Sequence, residues 1–284
     1  MKKAISILVL GTLLVGCKSS PNTYPSHIKD GSKVVIDGSD ISLTKDDIYH
    51  DLLKEAGAAQ IFDIALNQIA DKEIKDTKKL AEKEKETLAQ YQSQMKDGIE
   101  SYAKQSGFSN GEEYIANVIR PNAKQELLKE MYAQDHQAAI LKKYNAKFLK
   151  MIKVDSESEA IKIIDKSKSQ KEFDKEFTER KGEDLSIVTN ETTLVNRNIV
   201  DSLDKFTKDG IYSKAIKTTD NKYAVIYVYN SDASKHKAEV QKSILTIPNL
   251  KTDYEVFYLK KYKFDVYDAK LREEVKDINK DYIG

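Results

Sequence analysis

The sequence predicts an α+β protein, mainly helical, in which an antiparallel sheet-plus-helices module is inserted into a discontinuous helical domain. Three observations carry this. Apolar residues recur at helical spacing through the first half, from Leu52 and Leu53 past Ile61, Phe62, Leu66 and Ile69 to Met131. Runs with strand character in the middle of the chain cluster at 148–154, 185–188, 192–195, 211–216 and 223–228. Helical spacing then resumes after His236, at Val240, Ile244, Tyr254, Phe257, Tyr258 and Leu259. Insertion of the sheet-bearing stretch into one helical body is more economical than three independent units.

With 284 residues, 40% hydrophobic and 33% charged, the chain is long and apolar enough for one or two cores. Its 47 Lys and Arg against 46 Asp and Glu give a net charge of +1 with both signs mixed along its length. Counterion release at nucleic acid needs a basic face, so a dedicated DNA or RNA binder is excluded. One Cys and four scattered His (His27, His50, His136, His236) exclude a disulfide framework, a redox dithiol and a zinc enzyme. Asp37-Gly38-Ser39-Asp40 lacks the Gly and closing Glu of a calcium loop and reads as a turn. No metal or organic cofactor is implied.

Lys2-Lys3 precedes an apolar run of about a dozen residues, too short to span roughly 30 Å of hydrocarbon and built like a secretory signal. The run ends in Leu14-Val15-Gly16-Cys17, which resembles the bacterial lipobox, and the only Cys falls at the motif position. Cys17 is thus the expected lipidated mature N-terminus, and acyl chains rather than charge would hold the protein at the membrane. The polar, Pro-punctuated stretch that follows, with Pro21 and Pro25, reads as a tether. Residues 1–16 are therefore assigned to the signal peptide and 17–32 to the tether.

The folded part begins with a strand at 33–38. Thr44 and Asp47 have near capping-box spacing for the helix that follows. Two helices are expected over 48–54 and 61–74, with Gly57 between them. The charged stretch 76–105 carries a narrow stripe (Leu88, Tyr91, Met95, Ile99, Tyr102) and predicts one long, solvated helix that packs on a neighbour or walls a groove for apolar peptide. Gly107-Phe108-Ser109-Asn110-Gly111 matches G-x-S-x-G, but no buried strand precedes it. Gly107 reads as a helix C-cap, and Ser109 with Glu112 as a capping box. Pro121 predicts a kink or fresh start between helices at 114–119 and 126–132.

Beyond Tyr144 a strand is expected at 148–154. Helices capped by Ser156/Glu159 and Ser169/Glu172 follow, then a ribbon at 185–188 and 192–195, a short helix at 199–206 and a hairpin turning at Asp220-Asn221. The sixteen Tyr have two readings. Tyr223, Tyr227, Tyr229, Tyr254, Tyr258 and Tyr262 could line a peptide groove, or simply pack core and sheet.

The order of these elements resembles the PrsA-type foldase lipoproteins of Gram-positive bacteria, relatives of SurA and other parvulin-bearing chaperones. The resemblance rests on 34–42 as the family's opening strand and turn, 105–120 as its Ser-Gly-Met/Phe helix junction, and 263–271 as its closing strand and helix, all behind a lipobox. It implies a helical chaperone body at 33–145 and 232–284 and a parvulin-like domain at 146–231. The implied partners are unfolded or newly secreted polypeptides and, through the anchor, the extracytoplasmic face of the cell membrane. Homodimer formation is left open.

An active parvulin places two His, a Cys or Asp and apolar groups around the twisting imide. Here the first-strand His position falls on Lys150 or Met151, the last-strand Gly-Tyr-His becomes Lys222-Tyr223-Ala224, and the pocket Phe falls on Ser202 or Leu203. The Gly-Gly-Asp-Leu-Gly segment is unrecognisable at 190–196, and the remaining His belong to the tether or the helices. The expectation is a chaperone whose module is a degenerate isomerase, with no catalytic residue assigned. Two alternatives stand beside it: an active peptidyl-prolyl isomerase, since rotation needs no proton transfer, and a ligand-binding or adhesive surface lipoprotein on the same scaffold.

Overall fold

The computed structural model describes residues 30–38, 42–95, 97–232 and 237–283. The signal run, Leu14, Val15, Gly16, Cys17, the tether, Ser39, Asp40 and His236 lie outside the described residues. Mixed helix and antiparallel sheet are arranged in two compact units, one formed by the segments up to Phe62 and from Lys263 onward, the other by Asp63–Tyr262.

In the first unit, β1 (Val34–Asp37) and β2 (Ser42–Thr44) form an antiparallel ribbon that leads directly into α1 (Lys45–Glu73). The start of α1 is fixed reciprocally, as its sequence suggests. The Thr44 N–H donates to Asp47 Oδ2 at 2.8 Å and the Asp47 N–H donates to Thr44 Oγ1 at 3.2 Å, the capping-box exchange with Asp in place of Glu. The expected break at Gly57 does not occur, and one helix replaces the two. A Cβ at Gly57 would come within 2.7 Å of Leu271 on α12 (Ala269–Ile278), so glycine there admits a close side chain rather than ending the helix. Phe62 closes this unit against Phe264 and Tyr282, with ring centroids 6.1 and 4.7 Å away. Residues 263–268 form no strand, contrary to the family's pattern. Asp268 instead caps α12 by accepting from the Lys270 and Leu271 N–H groups.

In the second unit, the stretch expected to be one long helix is two, α2 (Thr77–Gln92) and α3 (Gly98–Gln105). Gly98 adopts φ +77°, a conformation glycine enters at little cost, and Met95 turns into a small core with Ala103, Tyr114 and Ile119. The next helix is capped by Asn110, one residue later than the expected Ser109/Glu112 box, and the exchange is not a capping box because Glu113 reaches back to Ser109 rather than to the cap residue. Asn110 accepts from the Glu113 N–H at 2.8 Å, and Glu113 accepts from the Ser109 N–H at 2.7 Å. From α4 (Gly111–Tyr114) the chain stays helical through a wide π turn (Ile115–Ile119) into α5 (Arg120–Asp135). Pro121 stands in the first turn of α5, where its missing N–H costs least, so it marks the fresh start of that helix after the π turn. A short α6 (Gln137–Lys143) follows.

The sheet comprises β3 (Lys147–Val154), β4 (Glu183–Val188), β5 (Gly210–Ile211), β6 (Ile216–Lys217) and β7 (Tyr223–Asn230), all antiparallel, in the order β4-β3-β7-β5 with β6 also on β7. Between β3 and β4 run α7 (Glu157–Lys166), capped by Ser156, and α8 (Gln170–Glu179), whose Ser169/Glu172 capping box is complete. Residues 192–195 do not pair as a strand. Thr192 Oγ1 accepts from the Thr189 N–H at 2.9 Å and closes a turn instead. A one-turn α9 (Arg197–Val200) and a 3-10 turn (Leu203–Lys205) precede β5. After the sheet come α10 (Lys237–Ile244) and α11 (Leu250–Lys261).

Because strand side chains alternate, the sheet has two buried faces. One carries Ile152, Val154, Val225 and Tyr227 against Ile163 and Phe173 of α7 and α8. The other carries Leu149, Met151, Ala224, Ile226 and Val228 against Ile199, Leu203 and Phe206. A third cluster joins Phe148 and Ile187 of the sheet to Ile140 of α6, Val240 and Ile244 of α10 and Leu250 of α11. The sheet and the surrounding helices of this unit thus share core.

Candidate functional site

The register of β3 on β7 decides which sequence positions face one another. Met151 lies opposite Ile226 and Lys153 opposite Ala224. Met151 and Ala224 therefore sit on the same face, and both belong to the cluster with Leu203, Phe206, Ile199, Val200, Ile216 and Val188. Lys150 points to the other face. Its ammonium is 3.1 Å from Asp174 Oδ1 and 5.2 Å from the Phe177 ring centroid. Of the two residues open at the first-strand position, Met151 is the one that shares a face with Leu203 and Ala224, and Lys150 is separated from them by the thickness of the sheet. At the pocket position Leu203 enters the cluster, whereas the Ser202 hydroxyl is committed to the Asn198 carbonyl at 2.9 Å.

What this face can do chemically follows from its lining. Leu203 is 2% exposed, Phe206 1% and Ala224 0%, so the place is filled by its own side chains. The cluster carries no imidazole, thiol or carboxylate. Tyr212 packs at its margin, with its ring centroid 5.1 Å from that of Phe206. Tyr227 is on the opposite face, where burial first, and then the negative charges of Asp174 and Asp209, push its phenol above the ordinary range.

Beside this closed face lies an open cleft of about 700 Å³ between the 190–197 loop, Lys153 of β3 and the turn at Thr219 and Asp220. Its walls are polar. Lys153 Nζ meets Asp220 Oδ2 at 2.9 Å, and Asn196 Nδ2 donates to Thr219 Oγ1 at 2.7 Å. Hydrogen bonds from the Thr218 hydroxyl and from Lys153 hold the Asp220 carboxyl down at about 2. At the lip stands Leu194, a large apolar side chain 98% exposed. Sequence reasoning missed this cleft because its parts come from a loop, a strand and a turn far apart in the chain. The one available signal was the apolar pair Leu194-Val195 among Thr and Asn.

The helical part offers a second concavity, about 560 Å³, between the end of α1, α2 and α5. Its floor is Ile74, Leu127 and Met131, and carboxylates and lysines ring it. Lys83 spans the floor, donating to Glu86 and to Glu130 at 2.6 Å each. Partial burial works against its charge, but the two hydrogen bonds outweigh that and raise its pKa.

The other sequence candidates are dispersed. Ser109 lies between α3 and α4 with its backbone bound to Glu113, so the G-x-S-x-G match is helix-cap geometry. The six tyrosines do not line one groove. Tyr227 stacks on Phe173 at 4.8 Å, Tyr254 and Tyr258 are buried in α11, and Tyr262 donates to Glu73 at 2.6 Å. Among the described residues no group of three or more His, Cys, Asp or Glu could hold a metal ion, and no helix is long and apolar enough to cross a membrane.

No family model matches the chain, and no curated protein matches it. Several solved structures do. The chain is similar to the peptidylprolyl isomerase PrsA from Bacillus cereus, with 14% identity and a TM-score of 0.49 over 88% of this chain and 99% of that one. It is similar to PrsA from Bacillus subtilis, with 20% identity and a TM-score of 0.40 over 87% and 99%. It is also similar to the foldase protein PrsA from Streptococcus pneumoniae, with 14% identity and a TM-score of 0.41 over 86% and 98%.

Proposed function

We propose that this chain is an extracytoplasmic chaperone, anchored through a lipid on Cys17, that holds unfolded secreted polypeptides and does not catalyse proline isomerisation. The observation that carries the second half is the apolar closure of the sheet face by Met151, Leu203, Phe206, Ala224 and Ile226. An imide has nowhere to enter among these buried apolar side chains. The holding function is supported by the sequence order read above and by a concavity in the helical part whose apolar floor and charged rim suit extended chain without selecting one sequence. In this reading the helical segments before and after the module form one discontinuous body, and the module is retained for packing and for peptide contact at the cleft beside Leu194.

Rotation about Xaa-Pro bonds takes tens of seconds or longer unaided, so catalysis and holding separate kinetically. The test is refolding of a proline-limited client in the presence of the chain from Cys17 onward, with Cys17→Ser to leave it unlipidated. The expected result is a higher folded yield at stoichiometric chain with an unchanged rate. A rate that rises with substoichiometric chain contradicts the reading, and no effect on either favours the ligand-binding lipoprotein. Anchoring has its own test. Fatty-acid labelling of the expressed full chain is expected to disappear in Cys17→Ser, and label that persists contradicts the assignment.

A further inference from the structure

The concavity between the end of α1, α2 and α5 has a floor of Ile74, Leu127 and Met131 and a rim in which one sign of charge prevails. Glu73, Asp76, Glu82, Glu86, Glu130 and Asp135 stand against Lys75, Lys79 and Lys83, six carboxylates to three ammonium groups. Lys261, which binds Glu73 from outside the lining, lowers the excess to two and does not remove it. That remainder comes from Asp76, which caps α2, and from Glu86 and Glu130, which share the one ammonium of Lys83. The chain as a whole is almost balanced at +1, so the excess is local. Glu82 and Asp135 are exposed and carry no ion pair among the described residues, so they are open to the charge of a guest. Lys75 and Lys79 are open in the same way, which makes the bias a preference and not an exclusion. No group of three or more His, Cys, Asp or Glu among the described residues could hold a metal ion, so the carboxylates are too dispersed to serve one bare cation.

We infer that this concavity takes the part of an unfolded client in which a bulky apolar residue is flanked by Lys or Arg, and disfavours segments flanked by Asp or Glu. The inference rests on the holding function proposed above and names the class of segment held. The apolar side chain supplies affinity by covering Ile74 and Met131, which are only half-buried. Met131 has an unbranched thioether side chain that adjusts to guests of different shape, so the floor demands no single side chain. A volume of about 560 Å³ is in the ordinary range for a binding site. The flanking cations then meet a rim that they help to neutralise, and a guest ammonium or guanidinium relieves the shared claim of Glu86 and Glu130 on Lys83. Flanking carboxylates would add to an excess of their own sign and be repelled. The cleft beside Leu194 has no such bias, with Lys153 and Arg197 against Glu191 and Asp220. A charge preference therefore reports on the helical concavity and not on the cleft.

The test is fluorescence anisotropy of the unlipidated chain with three labelled peptides of one length. One has a central Leu-Phe pair flanked by Lys, one has the same pair flanked by Glu, and one keeps the Lys flanks around Ser-Ser. The first is expected to bind about fivefold or more tighter than either of the others at about 0.05 M salt, its lead over the Glu peptide narrowing near about 0.5 M as the screening length shortens. Glu82→Lys with Asp135→Lys, both at exposed positions, turns an excess of two negative charges into two positive ones. That double variant is expected to abolish or invert the preference, and thermal melts check that it folds. Lys83→Gln acts in the opposite direction. It leaves Glu86 and Glu130 without their lysine and is expected to tighten the Lys peptide about twofold or more, a gain that loss of structure would not produce. Equal affinity for the Lys and Glu peptides overturns the inference. So does a Ser-Ser peptide that binds as well as the first, a preference that survives the double reversal, or weaker binding of the Lys peptide to Lys83→Gln. Refolding yield of a whole client, measured on the parent chain, separates the two readings, since a raised yield without a charge preference sinks this inference and leaves the chaperone reading standing.

Discussion

At the scale of single residues, one position decides the chemistry. Sequence comparison leaves the first-strand site open between Lys150 and Met151, and neighbouring strand residues point to opposite faces, so the two answers describe different proteins. With Lys150 on the active face the pocket would hold an ammonium. With Met151 there it holds a thioether among Leu203, Phe206 and Ala224. The pairing of Met151 with Ile226 places the thioether, and sequence alone could not, because register is set by long-range partners. Since Phe206 fills this face rather than lining a site, Phe206→Ala is expected to cost about 3–5 kcal/mol in denaturant unfolding, the range for a buried Phe truncation. The exposed pair at the cleft gives a pH signature. Asp220 is depressed to about 2 by the Thr218 hydroxyl and Lys153, so its contribution is present above an ordinary carboxylate pKa near 3.8 and is lost as pH falls toward 2. The difference in thermal midpoint between the parent chain and Asp220→Asn should therefore be visible at neutral pH and shrink between about pH 4 and 2. A difference that stays constant across that window would remove the hydrogen-bonded carboxylate from the account.

At the scale of elements, local signals were legible where neighbours three or four residues apart settle the matter. The Thr44/Asp47, Ser156/Glu159 and Ser169/Glu172 caps and strands β3 and β7 all lie where the sequence puts them. The misread elements turn on partners that a local window does not contain. Gly57 looked like a break because glycine weakens helices, yet Leu271, far away in sequence, needs the missing Cβ. The 76–105 helix looked continuous because Lys, Glu and Gln favour helix throughout, but Gly98 turns the chain at φ +77° and commits Met95 to the core. Gly98→Ala should therefore destabilise by about 1–2 kcal/mol despite the open space around it, since the cost is backbone conformation and not contact. A neutral effect would show that the break between α2 and α3 is not held by that glycine. The 192–195 strand was misassigned for a related reason, as Thr-Thr-Leu-Val has strand composition but Thr189 and Thr192 bind each other into a turn.

At the scale of the whole molecule, a change of fold class between Tyr144 and Ala146 is legible in composition, but the packing across it is not. Phe148 and Ile187 of the sheet are buried together with Val240, Ile244 and Leu250 of the following helices. Cutting out residues 146–231 would expose that face. The excised module is expected to melt well below the parent chain or without a cooperative transition, and an equally stable fragment would show that the shared core is dispensable. The central claim of the proposed function is that the sheet-bearing module offers no place for an imide. Its most direct test is exchange spectroscopy by NMR on a short peptide with one Xaa-Pro bond, with the unlipidated chain at a hundredth of the peptide concentration. The account predicts cis and trans peaks that exchange no faster than in buffer, with line broadening confined to transient binding. Accelerated exchange that survives dilution of the chain, and that vanishes when Met151 and Ala224 are both replaced by larger apolar residues in a folded variant, would contradict it.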